Sequence, residues 1–142
     1  METKASEMPK TGSATYQTKI DGQFADNRGV FVLSGDSRFE ANFATGAVNF
    51  TMNPKGRNVV NGSFADFGQL VLAGTISTPS QSYQGNEFYA ETGRNGEYTA
   101  NLNGAFYGPG ASELAGTFVM GHGTATPGGI GLGAGAVVGK KN

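Results

Sequence analysis

His122 is the only imidazole in the chain, and no cysteine accompanies it. The chemistry this set of side chains could carry is therefore narrow. Without thiols there is no disulfide, no thiolate metal site and no cysteine nucleophile. A lone histidine could ligate haem iron axially. Its sequence neighbours Gly121 and Gly123 supply no apolar slot, so the reading set against this is a solvated loop residue. A metal site built on one histidine needs carboxylates beside it, and none is near in sequence. No Ser-His-Asp order stands out, and Asp and Glu are not paired along any one strand run, so acid/base or nucleophilic catalysis finds no support and the chain is read as a non-enzyme.

The remaining candidates are side chains that could face a partner. Tyr83, Phe88 and Tyr89 flank the polar run Gln84-Gly85-Asn86-Glu87. Exposed aromatics often carry the energy of a protein interface, and half-buried strand residues are the alternative. Lys55 and Arg57, in Asn53–Asn58, form a small basic loop that either meets an acidic patch or is simply solvated. Glu113 is a ligand contact, or a residue that hydrogen-bonds turn amides or faces water. Tyr107 is read as packing at a strand end. Ten Lys and Arg residues are scattered against eleven Asp and Glu, for a net charge of −1. That distribution builds no basic stripe for nucleic acid or an anionic membrane.

The elements that must position these residues read as strands. The sequence of 142 residues suits one domain. Its 24 glycines lie among aromatics without a three-residue period, which disfavours collagen and helix alike. Period-two alternation is frequent: Ala14, Tyr16 and Ile20 share a face; so do Phe39, Ala41 and Phe43; Val48, Phe50 and Met52; Leu70, Leu72, Gly74 and Ile76; Tyr98, Ala100, Leu102, Gly104 and Phe106; and Leu114, Gly116, Phe118 and Met120. Links of two to five residues separate most runs, the length of antiparallel hairpins. A loose unit of Gly, one residue, then a large apolar residue recurs from Gly22-Gln23-Phe24 to Gly116-Thr117-Phe118. Glycine lets the strongly tilted strands of a small barrel bend and leaves room for a neighbouring ring. The expected fold is all-β: a single antiparallel up-and-down barrel of about eight strands over residues 9–141, without significant helix. An open sandwich is the alternative. The last strand, near Ile130–Val138, is expected to pair back to the first and close the sheet. Gly121–Gly129 is expected as a flexible loop. Residues 1–8 are read as a disordered lead-in or an added remnant, polar and without the apolar core of a signal peptide. No apolar run is long enough for a transmembrane helix.

One hairpin carries a resemblance. Gly104-x-Phe106-Tyr107-Gly108-Pro109, followed by Glu113-Leu114-x-Gly116-x-Phe118, resembles the penultimate hairpin of the transferrin-binding-protein-B-like β-barrel of Gram-negative surface lipoproteins. Pro9-Lys10-Thr11-Gly12-Ser13-Ala14-Thr15-Tyr16 is similar to the opening strand of that family. The Gly-rich end at Gly139-Lys140-Lys141 resembles the closing strand of the neisserial heparin-binding antigen. The resemblance spans roughly residues 8–141. It implies a monomeric, non-enzymatic binding barrel at the cell surface or secreted, not itself membrane-spanning, whose partner is a host or iron-source protein. A haem or small-ligand carrier and a structural export module of a larger surface protein are the alternative implications. The cysteine that carries the lipid in anchored members has no counterpart in this sequence.

Overall fold

The computed structural model describes residues 1–77, 85–93, 98–122 and 130–142. Strand β1 (Ser13–Asp26) is long enough to take two partners in succession along one edge, and this organises the whole molecule. Its first half pairs with β3 (Asp36–Asn42), from Ser13 opposite Asn42 to Lys19 opposite Asp36. Its second half pairs with β2 (Gly29–Ser34), from Gly22 opposite Leu33 to Asp26 opposite Gly29.

From β3 the meander continues through β4 (Ala47–Met52), β7 (Leu70–Ile76), β8 (Glu87–Glu91), β9 (Thr99–Tyr107), β10 (Glu113–His122) and β11 (Gly131–Lys141). The last strand then returns to the first, with Tyr16 opposite Lys141 and Ala25 opposite Leu132. Eight strands thus form a closed antiparallel barrel, as the alternation pattern predicts. Closure leaves none of these strands with an open rim for edge-to-edge pairing. The remaining strands, β2, β5 (Lys55–Asn58) and β6 (Phe64–Asp66), form a flap that branches off β1 at one end.

The interior is filled by side chains. Around Phe106, the rings of Tyr16, Phe39, Phe43 and Phe88 pack with centroids 5.2–6.0 Å away. At the flap end Phe24, Phe31 and Tyr98 surround Phe67, at 4.9–5.9 Å. Both groups belong to one buried core, together with Leu72, Leu102, Phe118 and Val137. Outward positions of β1 carry Gln17, Lys19, Asp21 and Gln23, all exposed. No described helix is long and apolar enough to cross a membrane.

Glycine is required where strands crowd. A Cβ at Gly104 would lie 2.5 Å from the Ala115 carbonyl oxygen and 2.5 Å from Phe88 Cζ. In the β9–β10 connection Gly108 and Gly110 take φ of +77° and +59°, the left-handed values that Gly108-Pro109-Gly110 predicts. Ala111 follows at +57° and is fully buried. Its carbonyl accepts a hydrogen bond from the Tyr16 hydroxyl, 2.5 Å away, and the Lys141 ammonium donates to Gly110 O at 2.7 Å. The turn is thereby tied to β1 and to β11, where the barrel closes.

The first three residues lie along the end of β9: Glu2 bridges to Tyr107, and Met1 O accepts from the Gly108 amide at 3.1 Å. Thr3 is buried; its amide donates to Phe106 O (2.8 Å), its hydroxyl donates to Gly108 O (2.7 Å), and its carbonyl accepts from Asn86 Nδ2 (2.8 Å). Two of these bonds satisfy the carbonyls of Phe106 and Gly108, which lie past the last residue that β9 pairs with β8.

Candidate functional site

At the flap end, four strand termini bring together residues far apart in sequence. β10 runs straight through to His122, and Asp26 closes β1. The turn into β2 carries Arg28, and Tyr98 stands just before β9. Asp26 accepts the Arg28 backbone N–H at 2.8 Å, the Nη2–H at 2.6 Å and the Nε–H at 3.1 Å. His122 Nε2 lies 3.6 Å from the same carboxylate, and both side chains are fully enclosed. The imidazole sits edge-on to Tyr98 at 4.7 Å and tilted over Phe24 at 5.3 Å.

Burial opposes ionisation of Asp26, but hydrogen bonds from the Arg28 side chain and backbone, with the nearby cationic charge, outweigh it. The carboxyl is held below the usual carboxylate range. The same side-chain hydrogen bond raises Arg28, against its partial burial. The guanidinium also lies 5.3 Å and 5.8 Å from the ring centroids of Phe31 and Phe67, within cation–π range.

His122 is thus not the solvated loop residue expected from its flanking glycines. It is the last inward position of β10, continuing Leu114, Phe118 and Met120. The array has the character of an interior polar clamp: one carboxylate joins a strand end, a turn and a histidine. No cluster of three or more His, Asp or Glu side chains able to hold a metal occurs among the described residues.

Lys55 and Arg57 prove to lie on a strand, not a loop. β5 is the middle strand of the flap, with Gly56 and Asn58 facing inward and Lys55 and Arg57 exposed. Arg57 stands opposite Val32 on β2 and Phe64 on β6; Lys55 stands opposite Ser34 and Asp66. Neither cation forms an ion pair among the described residues. Phe64 is 81% exposed, whereas every other phenylalanine is buried or half-buried. Sequence reasoning missed Phe64. The unit Gly62-Ser63-Phe64 matches the inward-facing repeat elsewhere, and only pairing to β5 turns this ring outward.

The other candidates are dispersed. Phe88, read as partner-facing, is buried: β8 places it between Ile76 and Gly104, with its ring filling the space that Gly104 leaves open. Tyr89, the next residue, faces out, and its hydroxyl donates to Glu91 Oε2 at 2.7 Å. Tyr83 and residues 123–129 lie outside the described residues. Glu113 is exposed opposite Tyr107 and Lys140, while Tyr107 is half-buried and bridges to Glu2. Gly104 and Gly116 form a cross-strand pair flanked by inward Phe106 and Phe118, so these hairpin residues hold the barrel wall.

The family profile described as the C-lobe and N-lobe β-barrels of transferrin-binding protein B matches residues 8–136. The chain belongs to this family. Transferrin-binding protein B of Haemophilus influenzae is 31% identical over 130 residues, which cover 83% of this chain and 20% of that protein. The chain therefore spans about a fifth of its curated relative. Among solved structures, a transferrin-binding protein B variant of Haemophilus parasuis superposes over 99% of this chain and 28% of its own, with a TM-score of 0.65 and 21% identity. The isotype 1 protein of serogroup B Neisseria meningitidis gives 0.62 over 100% of this chain and 27% of its own, at 20% identity. The N-lobe domain of lactoferrin binding protein B of Moraxella bovis gives 0.54 at 18% identity, over 93% of this chain and 60% of its own. These structures share the barrel architecture. The hairpin and opening strand singled out in the sequence fall within the matched residues.

Proposed function

We propose that this transferrin-binding protein B family barrel is a non-enzymatic binding module, exposed at a Gram-negative cell surface, that engages an iron-carrying host protein of the transferrin class. The observation that carries the reading is the family match along 8–136, combined with an interior packed by aromatic and aliphatic side chains. A filled barrel has no room for cargo, so recognition falls to the outer surface. That surface is stable enough to serve as a platform, because closure and the aromatic core fix its backbone.

Biolayer interferometry on immobilised iron-loaded transferrin, with lactoferrin and serum albumin as comparison surfaces, tests the proposal. Saturable binding to transferrin at micromolar domain concentration, absent from albumin, is expected. No binding to either iron carrier would overturn it.

A further inference from the structure

We infer that the outer face of the β2–β5–β6 flap is the docking surface of this domain, and that its occupant is a protein segment presenting apolar side chains bordered by carboxylates. The inference deepens the binding-module reading and rests on it for the biological partner, but not for the chemistry of the face.

The face is built in rows by the strand register. Val32, Arg57 and Phe64 form one row, and Ser34, Lys55 and Asp66 the next. Val30 extends the face on the other side, where its carbonyl accepts the Val59 amide at 3.0 Å. Val30, Val32, Val59 and Phe64 are all exposed, and Val60 at the adjoining turn is 90% exposed. Isolated exposed apolar residues are ordinary, whereas a contiguous set marks an interaction site. Arg57 stands in the middle row of this set, between Val32 and Phe64. Aromatic and arginine side chains surrounded by apolar contacts are the composition of interface hot spots.

Charge selects the occupant. Lys55 and Arg57 lack ion-pair partners among the described residues, and Asp66 is the only carboxylate in the rows. A partner that covers the apolar side chains must also supply carboxylates to the two cations, or it leaves them desolvated and unpaired. A second copy of the same face is a poor match, because each copy brings two cations, Lys55 and Arg57, and a single carboxylate, Asp66, so any two-fold pairing leaves one cation per copy unmatched. A membrane is a poor match too: two cations fall short of the cluster of about 4–8 basic residues that anionic lipid recognition requires. The flap's inner side, by contrast, is fixed: Phe31, Leu33 and Phe67 are buried in the core, so the outer face is presented on a rigid backing.

The test uses 15N-labelled domain titrated with a short amphipathic peptide, one face Leu and Ile bordered by Glu, and with its Lys-for-Glu counterpart. Amide shifts from the Glu peptide are expected at residues 30–34 and 55–66. Affinity is expected to fall at least about tenfold in Arg57→Glu and in Phe64→Ser. Neither substitution touches the core, so both variants retain the wild-type fold by circular dichroism. Shifts elsewhere, equal binding of the Lys peptide, affinity unchanged in both variants, or no binding of either peptide would overturn the inference. So would concentration-dependent dimerisation through the flap, or binding of phosphatidylglycerol vesicles in place of the Glu peptide. Peptide binding at the flap without any transferrin binding would leave this surface standing and remove the transferrin reading. Transferrin binding untouched by Arg57→Glu and Phe64→Ser, with no peptide shifts, would do the reverse.

Discussion

Replacing Gly104 by alanine is the sharpest probe of the barrel wall. The added Cβ would stand 2.5 Å from Ala115 O, 2.5 Å from Phe88 Cζ and 2.9 Å from Gly116 Cα, all well inside the 3.4 Å at which ordinary contact begins. Two of the three obstacles are backbone atoms of β10, so relief requires β9 and β10 to separate within their ladder. Overpacking of this kind costs about 1–3 kcal/mol. Alanine also removes about 0.4–1 kcal/mol of unfolded-chain entropy, which acts in the opposite direction. The net expectation is a loss of about 1–2 kcal/mol, equivalent to roughly 3–7 °C in Tm for a domain of this size. Guanidinium unfolding followed by circular dichroism measures it. A Phe88→Leu background separates the causes, because it withdraws the ring atom and leaves both backbone atoms in place. At least half of the Gly104→Ala penalty is expected to persist there. A Gly104→Ala domain as stable as wild type, or complete rescue by Phe88→Leu, would refute the close approach of the two strands.

Three further outcomes follow from the polar groups of the interior. Asp26→Asn should destabilise by about 1.5–3 kcal/mol near neutral pH, through loss of charged hydrogen bonds to Arg28. Because the folded-state pKa of Asp26 is depressed, its contribution is present above the ordinary carboxylate range and disappears as pH falls through the folded value. The difference between wild type and Asp26→Asn should therefore shrink on acid titration of the unfolding midpoint. Tyr16→Phe removes the buried donor to Ala111 O and should cost about 1–3 kcal/mol by thermal melting, with the Gly108–Ser112 amides exchanging faster. Added haem should give no Soret band that His122→Ala abolishes, because Phe24, Tyr98 and Asp26 already pack around that imidazole.

Much of the fold was legible because the barrel interior is written in period two. Tyr16, Phe39, Phe50, Leu72, Leu102 and Phe118 all fall on the faces that alternation assigns to the core. Closure was legible from the small residues of β11, which let that strand lie close against β1. The flap was not. That β1 changes partner halfway, from β3 to β2, is a long-range choice with no local mark. Lys55-Gly56-Arg57-Asn58 read as a loop because its inward positions are Gly and Asn. Phe88 and Tyr89 are adjacent aromatics, so alternation could not say which faces in; the space above Gly104 decides it. His122 was hidden by its glycine neighbours, although the series Leu114, Phe118, Met120 pointed to it as the next inward position.

The division of labour between barrel and flap follows from these packing facts. Eight strands close around a core in which the large rings already touch, so inward substitutions are constrained by neighbours on every side. The flap pairs with the barrel only through β2 against the end of β1, and its inner residues alone are tied to the core. Its outer residues can therefore change character without disturbing closure. An exposed Phe64 beside Arg57 has no role in holding the barrel. Exposing that ring forgoes roughly 1.5–3 kcal/mol that burial of such a side chain would contribute. A partner that buries it recovers this free energy at the moment of binding, which ties the surface to association and not to folding.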